Sequence, residues 1–401
     1  MASRLALFSH PLWDQSGKLI SSDPFLVDQI LALLDQAGEG TQIRGSIARW
    51  AIADAVVPYD RLLGALKNAW ARGCDLRLVA PALTTGAAAS GGTIDRASKL
   101  ASELRLAFGG NVRHWASAGP SGCEVVNHNT FLLFSTIAGG ATRWVIVDAR
   151  NAWTPRGVER PDDALILADE RALYVAYLRY WLALWMRAGG EPEVIRHPTV
   201  VAGEGGLKAH FAPLAESDPD PLVSLLDSVI PTSKSVIRVA MSTWAASGRG
   251  KTILDRLLTL AGAGCDVRVV AHHDLQALDD DPAARCSVNP KGGDPIGECE
   301  TASAVWAKIA GAAGVRWAKS PVHSKYILVE SQLAGGGDSI HKIVVTGAGG
   351  LGPTAIRGVC ADPECVLRFD DDVDLFQRYL DNWSWLCAQA WIRSMPSPCD
   401  P

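Results

Sequence analysis

DRLLGALKNAWARGCDLRLVAP, residues 60–81, is answered by DRLLTLAGAGCDVRVVAH, residues 255–272. Each reads as a helix, a glycine that ends it, and a strand of buried apolar residues. The echo continues in both directions. Upstream, IRGSIARWA from Ile43 matches IRVAMSTWA from Ile237, and LFSHPL near the N terminus matches HFAPLA from His210. Downstream, NVRHWA from Asn111 matches GVRWAK from Gly314, and VNHNTFLLFS from Val126 matches VHSKYILVE from Val322. Segments that recur in one order along the whole chain mark a tandem duplication.

Strands alternating with helices then predict two α/β units, each a mixed and mostly parallel sheet with helices on both faces, related by a pseudo-twofold axis. The first half is expected at 1–190 and the second at 206–401, with the Pro- and Gly-containing stretch 191–205 as the linker. Such an axis would bring the ends of the matching strands to one central cleft.

The chain has 401 residues, 48% hydrophobic and 20% charged, which predicts a globular protein with a sizeable core. Its net charge of −5, with no basic cluster, argues against long nucleic acid as a partner. No signal peptide stands out in MASRLALFSHPLWDQSG, so the cytoplasm is expected, with secretion after removal of a leader as the alternative. ALYVAYLRYWLALWM, from Ala172 to Met186, is interrupted by Arg179 and reads as a buried amphipathic helix, leaving no transmembrane segment. Of the nine cysteines, Cys74 and Cys265 sit at matching apolar places and read as core residues. Cys286 with Cys299, and Cys360 with Cys365, lie in loop-like stretches and would form disulfides in an oxidising compartment.

Chemistry concentrates in PVHSKYILVE, residues 321–330. In an alternating strand, His323 and Lys325 point the same way, and two cationic groups held together call for an anion. His128 is the partner of His323 in the other half. Two facing histidines can divide labour, one attacking while the other protonates the leaving group. No Cys/His or carboxylate cluster has the spacing of a metal site, and His272 with His273 reads as a strand end.

These motifs resemble those of the phospholipase D superfamily, whose hallmark is a duplicated H-x-K-x-x-x-x-D followed after a turn by a G-S-x-N strand. In the second half His323 and Lys325 match the pair, Glu330 stands for the Asp, and VVTGAGGL supplies Gly347 and Ala348 but Gly350 for the Asn. In the first half His128 is kept, Thr130 replaces the Lys, Ser135 replaces the Asp, and VIVDARNAW keeps Asn151. The resemblance implies a phospholipase D-like hydrolase or transferase acting on a phosphodiester of a lipid or small molecule through a covalent histidine intermediate. It implies no metal or organic cofactor, and a monomer is expected. His128 would be the nucleophile and His323 the general acid. Aligning PECVLRFD with DDALILAD makes Glu364 and Asp163 the acids that orient them.

Thr130, Asn151 and Glu330 are expected around the substrate with Lys325, and Trp153, Trp244 and Trp317, flanking the motif strands, would line an apolar pocket. Trp181, Trp185, Trp383 and Trp385 read as core residues of two paired helices. The alternatives are a biosynthetic transferase working on a non-phosphodiester and a binding protein of the family without turnover.

Overall fold

The structure is a computed structural model. It describes residues 3–14, 18–48, 58–80, 102–115, 125, 127–149, 158–191, 199–215, 217–245, 247–272, 302–347, 351, 356, 361–390 and 392–399. The chain divides into two compact units that part between Glu204 and Gly205, short stretches nearer the N terminus apart.

In the first unit the strands are β1 (Ser3–Phe8), β2 (Gln42–Ser46), β3 (Asp75–Ala80), β4 (Val112–His114), β5 (Phe131–Ile137), β6 (Thr142–Ala149) and β7 (Asp163–Ala168), side by side in the order β1-β7-β6-β5-β2-β3-β4. Helices α1 (Phe25–Gln36), α2 (Pro58–Ala71) and α3 (Arg171–Ala188) belong to this unit. The second unit repeats the plan with β8 (Leu207–Phe211), β9 (Val236–Met241), β10 (Asp266–His272), β11 (Val315–Ser320), β12 (Tyr326–Ser331), β13 (His341–Gly347), β14 (Cys365–Asp370) and β15 (Ile392–Arg393). They lie in the order β8-β14-β13-β12-β9-β10-β11-β15. Its helices are α4 (Pro221–Ser228), α5 (Gly248–Gly262), α6 (Ala302–Gly311) and α7 (Val373–Ala388).

The sheets are mixed, as expected, but not mostly parallel. β2 with β3 and β3 with β4 are parallel, as are β9 with β10 and β10 with β11; the other strand pairs run antiparallel. A parallel pair needs a crossover, and α2 and α5 supply one in each half. β5 and β6 are joined by a single 3-10 turn at Ala138–Gly140, and β12 and β13 by a loop, with no crossover α-helix in either place, so those connections return antiparallel.

The paired segments quoted first end their helices identically. Gly73 and Gly264 adopt φ of +88° and +100°, and the next residues, Cys74 and Cys265, donate back to Ala69 and Leu260. This backbone closes the helix and turns the chain into the strand at no Cβ cost. Each unit has its own core. In the first, Leu26, Ile30 and Leu34 of α1 and Leu62 and Leu66 of α2 pack under Ile43, Leu76 and Leu78. In the second, Leu225 of α4 and Ile253 and Leu257 of α5 pack under Ile237, Val267 and Val269.

On the other sheet face α3 and α7 bind by the same bonds. Trp181 Nε1 donates to Gly45 O at 2.9 Å and Trp383 Nε1 to Val239 O at 3.3 Å. Both tryptophans, and Trp185, are buried, and Trp385 is half-buried. A Cys387–Cys399 disulfide ties the C-terminal segment to α7. The pairings weighed from the sequence fall elsewhere: Cys286, Cys299 and Cys360 lie outside the described residues, and Cys365 is buried at the head of β14. Among the described residues no helix is long and apolar enough to cross a membrane.

Candidate active site

The antiparallel registers decide which strand ends share an edge. In the second unit Tyr326 lies opposite both Ala240 and Thr346, and Gly347 opposite Val366. The N-terminal ends of β12 and β14 therefore meet the C-terminal ends of β9, β10 and β13. His323, Ser324 and Lys325 lead into β12 at this edge, Glu364 precedes β14, and His272 closes β10. All five are buried, His323 at 0% exposure and Lys325 at 7%. Lys325 O accepts from Gly347 N at 3.4 Å and from Thr346 Oγ1 at 3.2 Å, which anchors the motif to the end of β13. Glu364 Oε1 receives Arg249 Nη1 at 3.4 Å.

The first unit repeats the edge position by position. Thr130 O accepts from Ala149 N at 2.9 Å, so Thr130 is the counterpart of Lys325 and Ala149 that of Gly347. His128, half-buried, is therefore the counterpart of His323. Thr130 is fully buried and its Oγ1 accepts from Ala48 N at 3.3 Å, a neutral group where the second unit has an ammonium. Beside it, Asp148 is the counterpart of Thr346 and is buried with Tyr177 OH donating to its Oδ2 at 2.7 Å.

The same register corrects one sequence alignment. Ser9 N donates to Asp162 O at 3.0 Å, and Ala212 N donates to Glu364 O at 2.8 Å. Ala149 lies opposite Ala164 where Gly347 lies opposite Val366. Glu364 therefore matches Asp162, whereas the expected Asp163 falls opposite Phe8 as Cys365 falls opposite Phe211. Both aspartates are buried. The error arose because an Asp-Asp pair satisfies either register. The constant offset that also pairs Tyr177 with Tyr379 and Trp181 with Trp383 was the signal that separates them.

Three more expectations shift. Glu330 lies at the opposite end of β12, paired with Val236 and Lys342, its Oε1 3.7 Å from Lys342 Nζ. Five residues of strand put it roughly 16 Å from Lys325, so it braces the far edge of the sheet. Trp244 is core: 2% exposed, with Nε1 donating to Gly250 O at 3.0 Å. Trp317 stands opposite Val269, three residues short of the strand end, and packs on Trp306 at 5.7 Å between ring centroids. Its backbone exchanges hydrogen bonds with Ser394. Asn151 and Trp153 lie outside the described residues. Among the described residues no cluster of His, Cys, Asp and Glu has the makings of a metal site.

Two duplicated α/β units, each with a histidine leading into the fifth strand of its sheet, have the phospholipase D fold. The chain superposes on phosphatidylserine synthase from Haemophilus influenzae Rd KW20 with a TM-score of 0.58 at 11% identity, over 96% of this chain and 86% of that one. It superposes on polyphosphate kinase from Porphyromonas gingivalis with a TM-score of 0.53 at 12% identity. That match covers 96% of this chain and 50% of the other, so the chain spans about half the length of the kinase. No protein-family model and no curated protein sequence matches it.

Proposed function

We propose that the chain is a phosphoryl-transferring enzyme, a phosphodiesterase or phosphatidyl-type transferase, that works through a covalent histidine adduct on a lipid or small-molecule substrate. The observation that carries this reading is the buried His323–Lys325 edge beside Glu364, whose histidine and acid recur in the first unit as His128 and Asp162. A buried ammonium beside a buried histidine can give a phosphate oxygen a charge-assisted hydrogen bond. His128 attacks phosphorus, the leaving oxygen takes a proton from His323, and His323 then takes one from the acceptor water or alcohol that cleaves the adduct. Glu364 and Asp162 fix the ring tautomers. The fold neighbours, a phosphatidylserine synthase and a polyphosphate kinase, agree with phosphoryl chemistry and leave the acceptor open.

Thr130 supports a second reading. With a hydroxyl where the second half has an ammonium, the site suits an electrophile less charged than a phosphodiester, and the reaction is then a biosynthetic transfer on such a group. One experiment tests the histidine chemistry in both. Given a panel of phosphodiesters and less charged esters, His323→Ala should accumulate the transferred group on the peptide carrying His128, read by mass, while His128→Ala gains no mass and turns nothing over. Adduct on His323 instead would exchange the roles, and wild-type turnover by both variants would end the proposal.

A further inference from the structure

Glu364 is 5% exposed. A carboxylate so buried takes up a proton unless a cation holds it ionised. That cation is Arg249, in the first turn of α5, whose side chain is 6% exposed. Its Nη1 lies 3.4 Å from Glu364 Oε1 and its Nε donates to Asp220 Oδ2 at 2.6 Å. Burial alone would pull the guanidinium's pKa down, but Glu364 and Asp220 outweigh it and move the pKa up. Asp220 is held in turn, since its Oδ1 caps α4 by accepting from Leu222 N and Val223 N at 2.9 and 3.2 Å. The start of α5 is equally confined: a side chain on Gly250 would run into the carbonyl oxygens of Ala245 and Leu351. The ends of α4, α5 and β14 are thus joined by one row of carboxylate, guanidinium and carboxylate, buried at Glu364 and Arg249 and half-buried at Asp220.

We infer that Arg249 is a positioning residue that keeps Glu364 ionised and aimed for its work on His323. The inference rests on the proposed partnership of Glu364 with His323 and adds the group that makes the partnership possible in a buried place. It also separates the two halves. The first-half stretch matching the start of α5, AIADAVVPYD at residues 51–60, contains no arginine. Arg249 from α5 touches Glu364 and is itself held by Asp220 ahead of α4, while Lys325 at the head of β12 and His272 at the end of β10 stand at the same edge of the sheet.

Without Arg249, Glu364 faces burial beside the remaining charge of Asp220 and takes a proton, and His323 loses its anionic partner. The test is the imidazole titration of His323 in the full chain by NMR, which needs no turnover. Arg249→Met should lower the His323 midpoint by roughly one pH unit, Arg249→Lys should restore most of it, and Glu364→Gln should produce the same fall by itself. In the Glu364→Gln background, adding Arg249→Met should change the midpoint no further. Should Arg249→Met fail to fold, Arg249→Gln keeps hydrogen-bond donors without the charge and is expected to show the same fall. A folded Arg249→Met or Arg249→Gln whose His323 midpoint is unchanged or higher, while Glu364→Gln lowers it, overturns this inference alone. If Glu364→Gln leaves His323 unmoved, the partnership itself fails, and this inference with it.

Discussion

At the head of β12 the second unit places the ammonium of Lys325, with the hydroxyl of Thr346 on the neighbouring strand; at the head of β5 the first unit places the hydroxyl of Thr130, with the carboxylate of Asp148 beside it. The scaffolds beneath are similar but not identical. In the second unit Asn382 of α7 donates to Tyr326 OH at 2.9 Å; in the first Tyr180, the counterpart of Asn382, accepts from Asn129 at 3.0 Å, two residues ahead of Phe131, the residue that matches Tyr326. Arg44 stacks over Trp181 at 5.5 Å and Arg238 over Trp383 at 5.9 Å. The arginine–tryptophan stacking and the tryptophan bonds to the sheet were preserved across the duplication while the charge at one edge was changed. A drifting pair of halves would lose buried polar partners as readily as charges, and each stray buried group costs about 1–3 kcal/mol. On the proposed function, the asymmetry belongs to what the two edges bind.

The comparison breaks most sharply at the acids. If Asp162 is the true counterpart of Glu364, Asp162→Asn should lower turnover on the order of 10^4-fold, as losing the group that orients a catalytic histidine does elsewhere. Asp163→Asn should cost much less. The reverse ranking, measured with any substrate that labels the histidine, would sink the register argument.

Next come the motif residues themselves. Lys325→Ala removes a charge-assisted contact of about 1.5–3 kcal/mol and should lower kcat/KM by roughly ten- to a hundredfold. Thr130→Ala removes at most a neutral hydrogen bond and should cost less than about tenfold. Equal losses would mean that the two heads contribute alike and that the charge difference is incidental.

Much of this architecture was legible in the sequence because local rules carried it. The helix-glycine-strand repeat needs only a left-handed glycine and apolar alternation, and the histidines stand next to strand starts that the same alternation marks. Long-range pairing was not legible. Whether Asp162 or Asp163 leads into β7 is decided by hydrogen bonds to a strand some 150 residues away, Ser9 N among them. That Trp244 is core follows from its bond to Gly250 O across a turn. Arg249, in a GRGK stretch that reads as a solvated helix start, gave no local sign of its burial. Nor did parallel against antiparallel pairing show in strand composition, since strands covered on both faces are apolar either way.

A smaller effect is expected in a buried polar network. Tyr177→Phe removes the donor to Asp148 and should destabilise the fold by about 1–2 kcal/mol. A loss well under that in a urea titration would show that the carboxylate beneath the first edge is not what Tyr177 serves.

The smallest expected difference lies on the outer strands. Leu7 in β1 and His210 in β8 occupy matching places, each one residue before the phenylalanine that faces β7 or β14. Neither His210 ring nitrogen has a hydrogen-bond partner, and its pKa is pushed down to about 4, first by burial and then by Arg368 and Lys208, with Asp220 and Asp218 pulling weakly the other way. The folded state thus holds His210 neutral while the unfolded chain protonates near 6.5. The sign follows: this stability is fully present above about pH 6.5 and is lost as the pH falls toward about 4, because the unfolded state binds the proton first. Discounted for the ring's partial exposure, the loss should be about 1–2 kcal/mol. His210→Leu gives the second unit the residue of the first, and it should flatten that part of the urea-midpoint profile between pH 7 and pH 4 while leaving the neutral-pH midpoint nearly unchanged. An unaltered acid slope in His210→Leu would place the titrating group elsewhere.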